Sequence, residues 1–171
     1  MKTKLLKKLR IIFNAMNELY LDKEKILLYQ KNRPPYLMID IADKVVPGKL
    51  ANGYKLLSNK DWFFDCHFPG DPNMPGLLQT EALVQMAALT VLTMPGNKGK
   101  IIYLYNVEKI TFKQKVLIGD KFNIETKLLS WKRGIGKCYG IAKVNNKKVC
   151  ESIFNIVLPS ELEKFKVKAK T

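Results

Sequence analysis

The sequence is poor in the residues that build disulfide frameworks and metal sites. It has three cysteines, Cys66, Cys138 and Cys150, and a single histidine, His67, among 171 residues. An odd number of cysteines without C-x-x-C spacing argues against both a disulfide framework and a zinc site. A reducing, cytoplasmic compartment therefore fits this chain best.

Acidic residues are also scarce, since 15 Asp and Glu stand against 30 Lys and Arg, for a net charge of +15. A basic surface attracts acidic proteins, and it equally attracts nucleic acid or anionic lipid without specificity. A lysine-rich surface that serves only solubility explains the charge at least as well. The chain has no recognition helix, zinc-finger spacing or aromatic-basic RNA motif, so we rank a nucleic-acid-binding module last.

Internal repeats and uninterrupted apolar spans are absent as well. With 171 residues, 47% of them hydrophobic, the chain suits one compact domain. Residues 1–21 form a basic N-terminal extension in which apolar side chains recur at helical spacing. The pattern predicts an amphipathic helix rather than a transmembrane span or a signal peptide. We favour packing of this helix on its own oligomer, with contact to a membrane surface or a partner as the alternatives.

The most informative segment runs from residue 67 to residue 85. Its first part is a loop rich in proline and glycine, whose backbone constraints suit a loop of fixed shape. Pro75 is well placed as the first residue of a helix, and we predict that helix over residues 75–92. From Leu77 onward nearly every side chain is apolar or small, so the helix is expected to be buried.

Glu81 lies in this apolar helix, where a carboxylate is costly. Desolvation raises the pKa of a carboxyl group, so Glu81 is a candidate general acid that keeps its proton near neutral pH. Gln85, four residues on, shares its helical face and is placed to orient that carboxyl group. The N–H of Gly76 at the helix N-terminus is a candidate oxyanion donor. His67 is the candidate base, although a lone histidine or glutamate, taken by itself, is more often structural.

Strand-like stretches fall at about 36–46, 48–58, 100–108, 111–117, 121–132, 135–145 and 148–158. Most of them follow the apolar helix with no second long apolar helix between them, which favours an antiparallel α+β layer over βαβ units. A short helix is predicted over residues 23–30. We therefore expect an α+β domain over residues 22–160, with a curved sheet around the hydrophobic helix, followed by a basic tail over 161–171.

The motif residues resemble those of a known family. The run His-Phe-Pro-Gly-x-Pro-x-Met-Pro-Gly over residues 67–76, followed by Glu81-Ala82 and Gln85, resembles the signature of the bacterial β-hydroxyacyl-(acyl carrier protein) dehydratases, which have the hotdog fold. Residues 33–40 resemble the family's Arg-Tyr-Pro-Phe-Leu-Leu-Val-Asp strand. The resemblance covers roughly residues 22–158, and the spacing of 14 between histidine and glutamate is its specific part.

This chain departs from the family pattern at three positions. Cys66 replaces a glycine, Ile118 stands where proline is frequent, and Asn32 stands where a histidine often precedes the arginine. Glu81 is similar to the general dehydratase branch, whereas Asp71 is more similar to the branch that also isomerises the double bond.

The resemblance implies removal of water from a (3R)-hydroxyacyl thioester on the phosphopantetheine arm of acyl carrier protein, in fatty acid biosynthesis. It implies that His67 takes the C2 proton, that the Gly76 amide polarises the thioester carbonyl, and that Glu81, oriented by Gln85, protonates the departing hydroxyl. No cofactor or metal is implied. The family shares its active sites across a homodimer, and trimers of dimers are common.

Two other functions stay open at this point. A related hotdog enzyme, such as a hydratase or thioesterase that acts on acyl-coenzyme A, is one alternative, although the nearly complete motif favours the dehydratase. A non-catalytic acyl-binding homologue that retains the fold is the other.

Overall fold

The computed structural model describes residues 18–165, which form seven strands, three α-helices and two short 3₁₀ helices. In chain order the elements are β1 (Leu19–Leu21), α1 (Lys23–Tyr29), β2 (Ile41–Val46), β3 (Leu50–Leu56), a 3₁₀ helix (Trp62–Asp65), α2 (Gly76–Leu92), β4 (Tyr103–Phe112), β5 (Lys121–Lys132), β6 (Ile135–Val144), β7 (Lys147–Val157), α3 (Pro159–Leu162) and a second 3₁₀ helix (Glu163–Phe165).

All seven strands form one antiparallel sheet in the order β1-β2-β3-β5-β6-β7-β4. Helix α2 contacts β2, β3, β5, β6 and β7, so the sheet curves around it. This is the predicted α+β hotdog arrangement, and the prediction of the fold is confirmed.

Helix α2 is buried because its sequence is apolar around its whole circumference. Thirteen of its 17 residues are buried, and they include Leu83, Met86 and Leu89. The sheet approaches the helix closely at Gly53 in β3, where an added Cβ would lie 2.8 Å from Cε of Met86. The helix and the sheet together form the main hydrophobic core.

The start of α2 differs from the prediction by one residue. Pro75 precedes the helix as its N-cap, with an extended ψ of 136°, and Gly76 is the first helical residue. The carbonyl of Pro75 accepts hydrogen bonds from the N–H groups of Leu78 and Gln79. A residue whose carbonyl begins the helical bonding while its own backbone stays extended is a cap, not a first-turn residue.

Two strand predictions need correction. The expected strands at 100–108 and 111–117 are one strand, β4, because pairing with β7 continues through two irregularities as far as Phe112. The expected strand at 36–46 begins only at Ile41. Residues 37–39 are buried before it, and the N–H of Met38 donates to a side chain, Oε1 of Gln85, instead of to a neighbouring strand.

The N-terminal helical prediction is wrong at its last residues. Leu19–Leu21 form strand β1, which pairs with β2 and buries Leu21. The rest of the predicted extension, residues 1–17, lies outside the described residues, as does most of the basic tail.

Helix α1 (Lys23–Tyr29) agrees with the short helix expected there, and the side chain of Asp22 caps it by accepting from the N–H of Lys25. Within residues 18–165, no helix has both the length and the apolar character that crossing a bilayer requires.

Candidate active site

His67 lies in the loop between the first 3₁₀ helix and α2, where local hydrogen bonds hold it. Its N–H donates to the carbonyl of Phe63 at 2.9 Å, and its own carbonyl accepts from the N–H of Asn73 at 2.9 Å. The ring Nδ1 lies 2.9 Å from the carbonyl oxygen of Asn73. A carbonyl oxygen can only accept, so Nδ1 carries the proton of this bond. In the neutral ring, Nε2 is therefore left with a free lone pair, as a base requires.

The carboxyl group of Glu81 is half-buried on α2 and is held by amide groups. Nε2 of Gln85 donates to Oε1 of Glu81 at 2.9 Å, and Nδ2 of Asn32 lies 3.5 Å from the same oxygen. Burial raises the pKa of the Glu81 carboxyl group above its ordinary value, and the hydrogen bond from Gln85 opposes only part of that rise. This is the environment of a carboxylic acid that keeps its proton beyond the usual pH range.

The orientation of the Gln85 side chain is determined by its buried backbone partners. Its Oε1 accepts from the N–H of Met38 at 2.8 Å, and its Nε2 donates to the carbonyl of Tyr36 at 2.8 Å. The second hydrogen of Nε2 goes to Glu81. Since each end of the amide has a partner of the opposite kind, the group cannot be flipped without losing these bonds.

Glu81 lines a cavity of about 320 Å³ between α2, the loop after α1 and the start of β4. Asn32 and Tyr36 form its polar side together with Glu81, and Val84, Ala88 and Ile102 are among its apolar lining residues. A pocket that combines apolar walls with convergent polar groups is typical of a small-molecule site.

Gly76 lines a different cavity, of about 370 Å³, together with Asn73, Gln79, Phe112 and residues 113–115. The N–H of Gly76 belongs to the first turn of α2, where backbone donors have no intrahelical partner, and no side chain caps this helix. Asn73 connects this cavity to His67, because its carbonyl holds the imidazole ring.

The predicted site residues therefore fall into two groups within one protomer. Gly76 and Glu81 are five residues apart on α2, which turns their directions by about 140° at roughly 100° per residue. The structure accordingly places Gly76 and the loop of His67 beside one cavity and Glu81 with Gln85 beside another. Sequence reasoning did not identify Asn73, and it noted Asn32 only as a departure from the family pattern.

Groups of acidic, histidine and cysteine side chains that could bind a metal ion are absent from residues 18–165. The three cysteines are free thiols, and Cys138 and Cys150 are buried. Burial raises the pKa of each of these two thiols to about 12. Neither is suited to nucleophilic chemistry, because the reactive form of cysteine is the thiolate.

Comparison with known proteins gives a consistent family match. The model of the FabA-like domain family matches residues 31–153. A 3-hydroxyacyl-[acyl-carrier-protein] dehydratase FabZ of Roseiflexus sp. (strain RS-1) is 37% identical over 138 residues, which cover 81% of this chain and 96% of that protein. The protein of the same name from Clostridium novyi (strain NT) is 41% identical over 129 residues, which cover 73% of this chain and 89% of that protein.

Solved structures agree with the fold at much lower sequence identity. The dehydratase heterocomplex ApeI:P of Xenorhabdus doucetiae has a chain with a TM-score of 0.69 and 14% identity, covering 81% of this chain and 95% of its own. The PaaI protein of E. coli, from the phenylacetic acid degradation operon, has a TM-score of 0.54 and 14% identity, covering 71% and 80%. At these identities the likeness concerns the fold alone.

Proposed function

This chain belongs to the FabA-like domain family, and we propose on that premise that it dehydrates (3R)-hydroxyacyl thioesters carried on acyl carrier protein, in fatty acid biosynthesis. The observation that carries the proposal is the match to dehydratases of this name at 37% and 41% identity over nearly their whole length. The reaction removes a proton from C2 and the hydroxyl group from C3, which leaves as water, and it forms the trans-2 double bond.

His67 is the base in this proposal, and Glu81 is the acid. Nε2 of His67 is the unprotonated nitrogen when Nδ1 donates to Asn73, so it can take the C2 proton. Glu81 lies in an environment that favours its protonated form, so it can deliver a proton to the departing hydroxyl group. The N–H of Gly76 stabilises the negative charge that develops on the thioester oxygen. The chemistry needs only these groups, so we propose that no cofactor takes part.

Within one protomer, Gly76 and the His67 loop lie beside one cavity and Glu81 beside another, and this separation supports an active site that is shared by two subunits. We expect His67 and Gly76 of one subunit to face Glu81 of the other across a homodimer contact, as the family resemblance implies. Strand β4 supports this arrangement because it is an edge strand with an exposed apolar surface, including Tyr103, Leu104 and Tyr105. A long exposed apolar edge strand is a template for pairing with another chain. A trimer of dimers is the larger assembly that we propose.

Acyl carrier protein is the proposed partner, and positive charge supports this proposal. Lys113 and Lys115 line the cavity of Gly76, within a chain of net charge +15. Each has an acidic neighbour, Glu151 and Asp71 respectively, but the two lysine side chains are 44% and 59% exposed, so these ion pairs contribute little. An acidic carrier protein would therefore be attracted toward this cavity, most strongly at low salt.

The test is an ultraviolet assay of enoyl thioester hydration, the reverse of the proposed reaction. The purified protein is compared with His67→Ala and Glu81→Gln on acyl carrier protein and coenzyme A thioesters. We expect activity on the carrier-protein thioester and a loss of about 10²-fold or more in each variant, because positioned acid and base groups contribute at least that much. Thiol release without hydration would instead indicate a thioesterase, and a wild-type protein inactive in both assays would indicate a non-catalytic homologue.

A further inference from the structure

The two oxygens of the Glu81 carboxyl group are not equivalent. Oε1 is the acceptor for both Gln85 Nε2, at 2.9 Å, and Asn32 Nδ2, at 3.5 Å. Among residues 18–165 no group hydrogen-bonds Oε2, and Oε2 is not among the buried atoms that lack a partner, so it is open to the cavity that Glu81 lines. One oxygen thus faces two protein donors, and the other faces the space where a substrate would lie.

This asymmetry determines which oxygen holds the proton. Gln85 cannot turn its amide around, since its own Oε1 is bound to the N–H of Met38 and its Nε2 to the carbonyl of Tyr36. Oε1 of Glu81 therefore always meets an N–H donor, and a protonated oxygen there would set two hydrogens against each other. The proton of the neutral acid is consequently on Oε2.

Asn32 is the second donor, and the side chain of the next residue, Arg33, holds its backbone in place. Nη1 of Arg33 donates to the carbonyls of Gln30 and Asn32, both at 2.9 Å, and Nη2 donates to the carbonyl of Leu27 at 3.3 Å. The guanidinium group thus ties the end of α1 to the loop that carries Asn32. Three residues of this loop, Lys31, Asn32 and Tyr36, line the cavity.

We infer that Asn32 is a positioning residue which, with Gln85, reserves Oε1 of Glu81 for accepting hydrogen bonds and leaves Oε2 as the oxygen that delivers the proton. This inference rests on the proposed function, because it takes Glu81 to be the acid. The distance of 3.5 Å is long for a hydrogen bond, and hydrogen bonds of catalytic groups often shorten when substrate binds. The sequence carries asparagine here where the resembled family often has histidine, and both side chains can donate.

The experiment uses Asn32→Asp, which keeps the shape of the side chain but replaces the amide donor by a carboxylate, and Asn32→His, which keeps a ring N–H donor. We expect Asn32→Asp to lower kcat by about 3- to 10-fold with little change in KM, the size of one hydrogen bond, and Asn32→His to retain most of the activity. Asn123→Ala is the control, because it removes an amide that lies outside both cavities.

A pH profile of kcat separates positioning from a merely structural effect. An added negative charge beside Glu81 disfavours its ionised form, so Asn32→Asp should move the alkaline limb of the profile to higher pH. The other titratable side chains that line this cavity, Lys31, Tyr36 and Tyr103, are present in every variant, so they cannot account for a difference between the profiles.

The possible failures can be told apart. An Asn32→Asp enzyme with wild-type kcat and an unmoved alkaline limb overturns the inference about Asn32 while Glu81→Gln remains inactive. If Glu81→Gln is itself active, the proposed function fails instead. A loss of kcat that Asn32→His shares in full, with both variants less stable toward urea and no shift of the alkaline limb, would show that Asn32 serves only the fold.

Discussion

The ring of Phe112, the last residue of β4, lies directly against Gly76, the first residue of α2. A Cβ added to Gly76 would stand 2.8 Å from Cζ of that ring and 2.9 and 3.0 Å from its two Cε atoms. No side chain fits between the start of the helix and the end of the strand unless the ring moves.

Replacement of Gly76 by alanine should therefore lower stability, because the added methyl group would clash with the ring of Phe112. We expect Gly76→Ala to lower the free energy of unfolding by about 1 kcal/mol, the low end of the cost of overpacking, because the Phe112 side chain that must move is 44% exposed. In a background that already carries Phe112→Ala, the same replacement should have a much smaller effect. Urea denaturation of the four proteins measures this coupling as a double-mutant cycle. Equal effects of Gly76→Ala in both backgrounds would contradict the contact.

Gln85 connects the acid to the backbone of residues 36–38, so its loss should affect both stability and activity. Gln85→Met fills the space but leaves the N–H of Met38 and the carbonyl of Tyr36 without their partner. Each buried polar group left unpaired costs about 1–3 kcal/mol, so we expect a clear fall in the urea midpoint and a lower kcat. Gln114→Met is the matched control for stability alone, because Gln114 is exposed but lines the cavity of Gly76; its replacement should change stability by less than about 0.5 kcal/mol.

The raised pKa of Glu81 should make stability depend on pH in a definite direction. Burial raises the pKa above the ordinary value of 4.5, so the folded protein holds this proton more tightly than the unfolded chain does. The contribution of Glu81 is therefore fully present below the unfolded pKa and is lost as pH rises through the folded pKa. Glu81→Gln lacks this loss, so its stability relative to wild type should increase as pH rises through that window.

Urea denaturation of both proteins at a series of pH values upward from 4.5 checks this prediction. A constant difference in the free energy of unfolding across the series would mean that the Glu81 carboxyl group titrates alike in the folded and unfolded chains. The activity should follow the same group, with an alkaline limb above the range of an ordinary glutamate.

A shared active site can be tested by mixing two inactive variants. His67→Ala keeps Glu81, and Glu81→Gln keeps His67, so a mixed dimer would contain one complete site and one site without either group. We expect the mixture, after the subunits have been exchanged by mild denaturation and refolding, to regain activity that neither variant has alone. Each variant treated separately in the same way is the control. A mixture that stays inactive, although mass spectrometry shows mixed dimers, would place both groups of a site in one subunit.

Several elements were predictable because their signals are local. The predominantly apolar character of residues 77–92 determined a buried helix, and the alternation within residues 121–132 determined β5 with the bounds that the structure has. The family match likewise confirms the resemblance seen in the motif around residues 67–85. Pairing was not local: β4 continues through the predicted break because β7 lies beside it, and Leu19–Leu21 form a strand because β2 offers an open edge.

The sequence by itself determined which residues carry the proposed chemistry, because a lone histidine, a carboxyl group in an apolar helix and a proline- and glycine-rich loop are properties of neighbouring positions. Only the tertiary structure decided how these groups are divided between two cavities and which partners hold them. Asn32 reaches Glu81 across 49 positions of the chain, and Gln85 reaches Met38 across 47. Contacts of that length depend on how residues 30–40 lie along α2 in the folded chain, which no local pattern encodes.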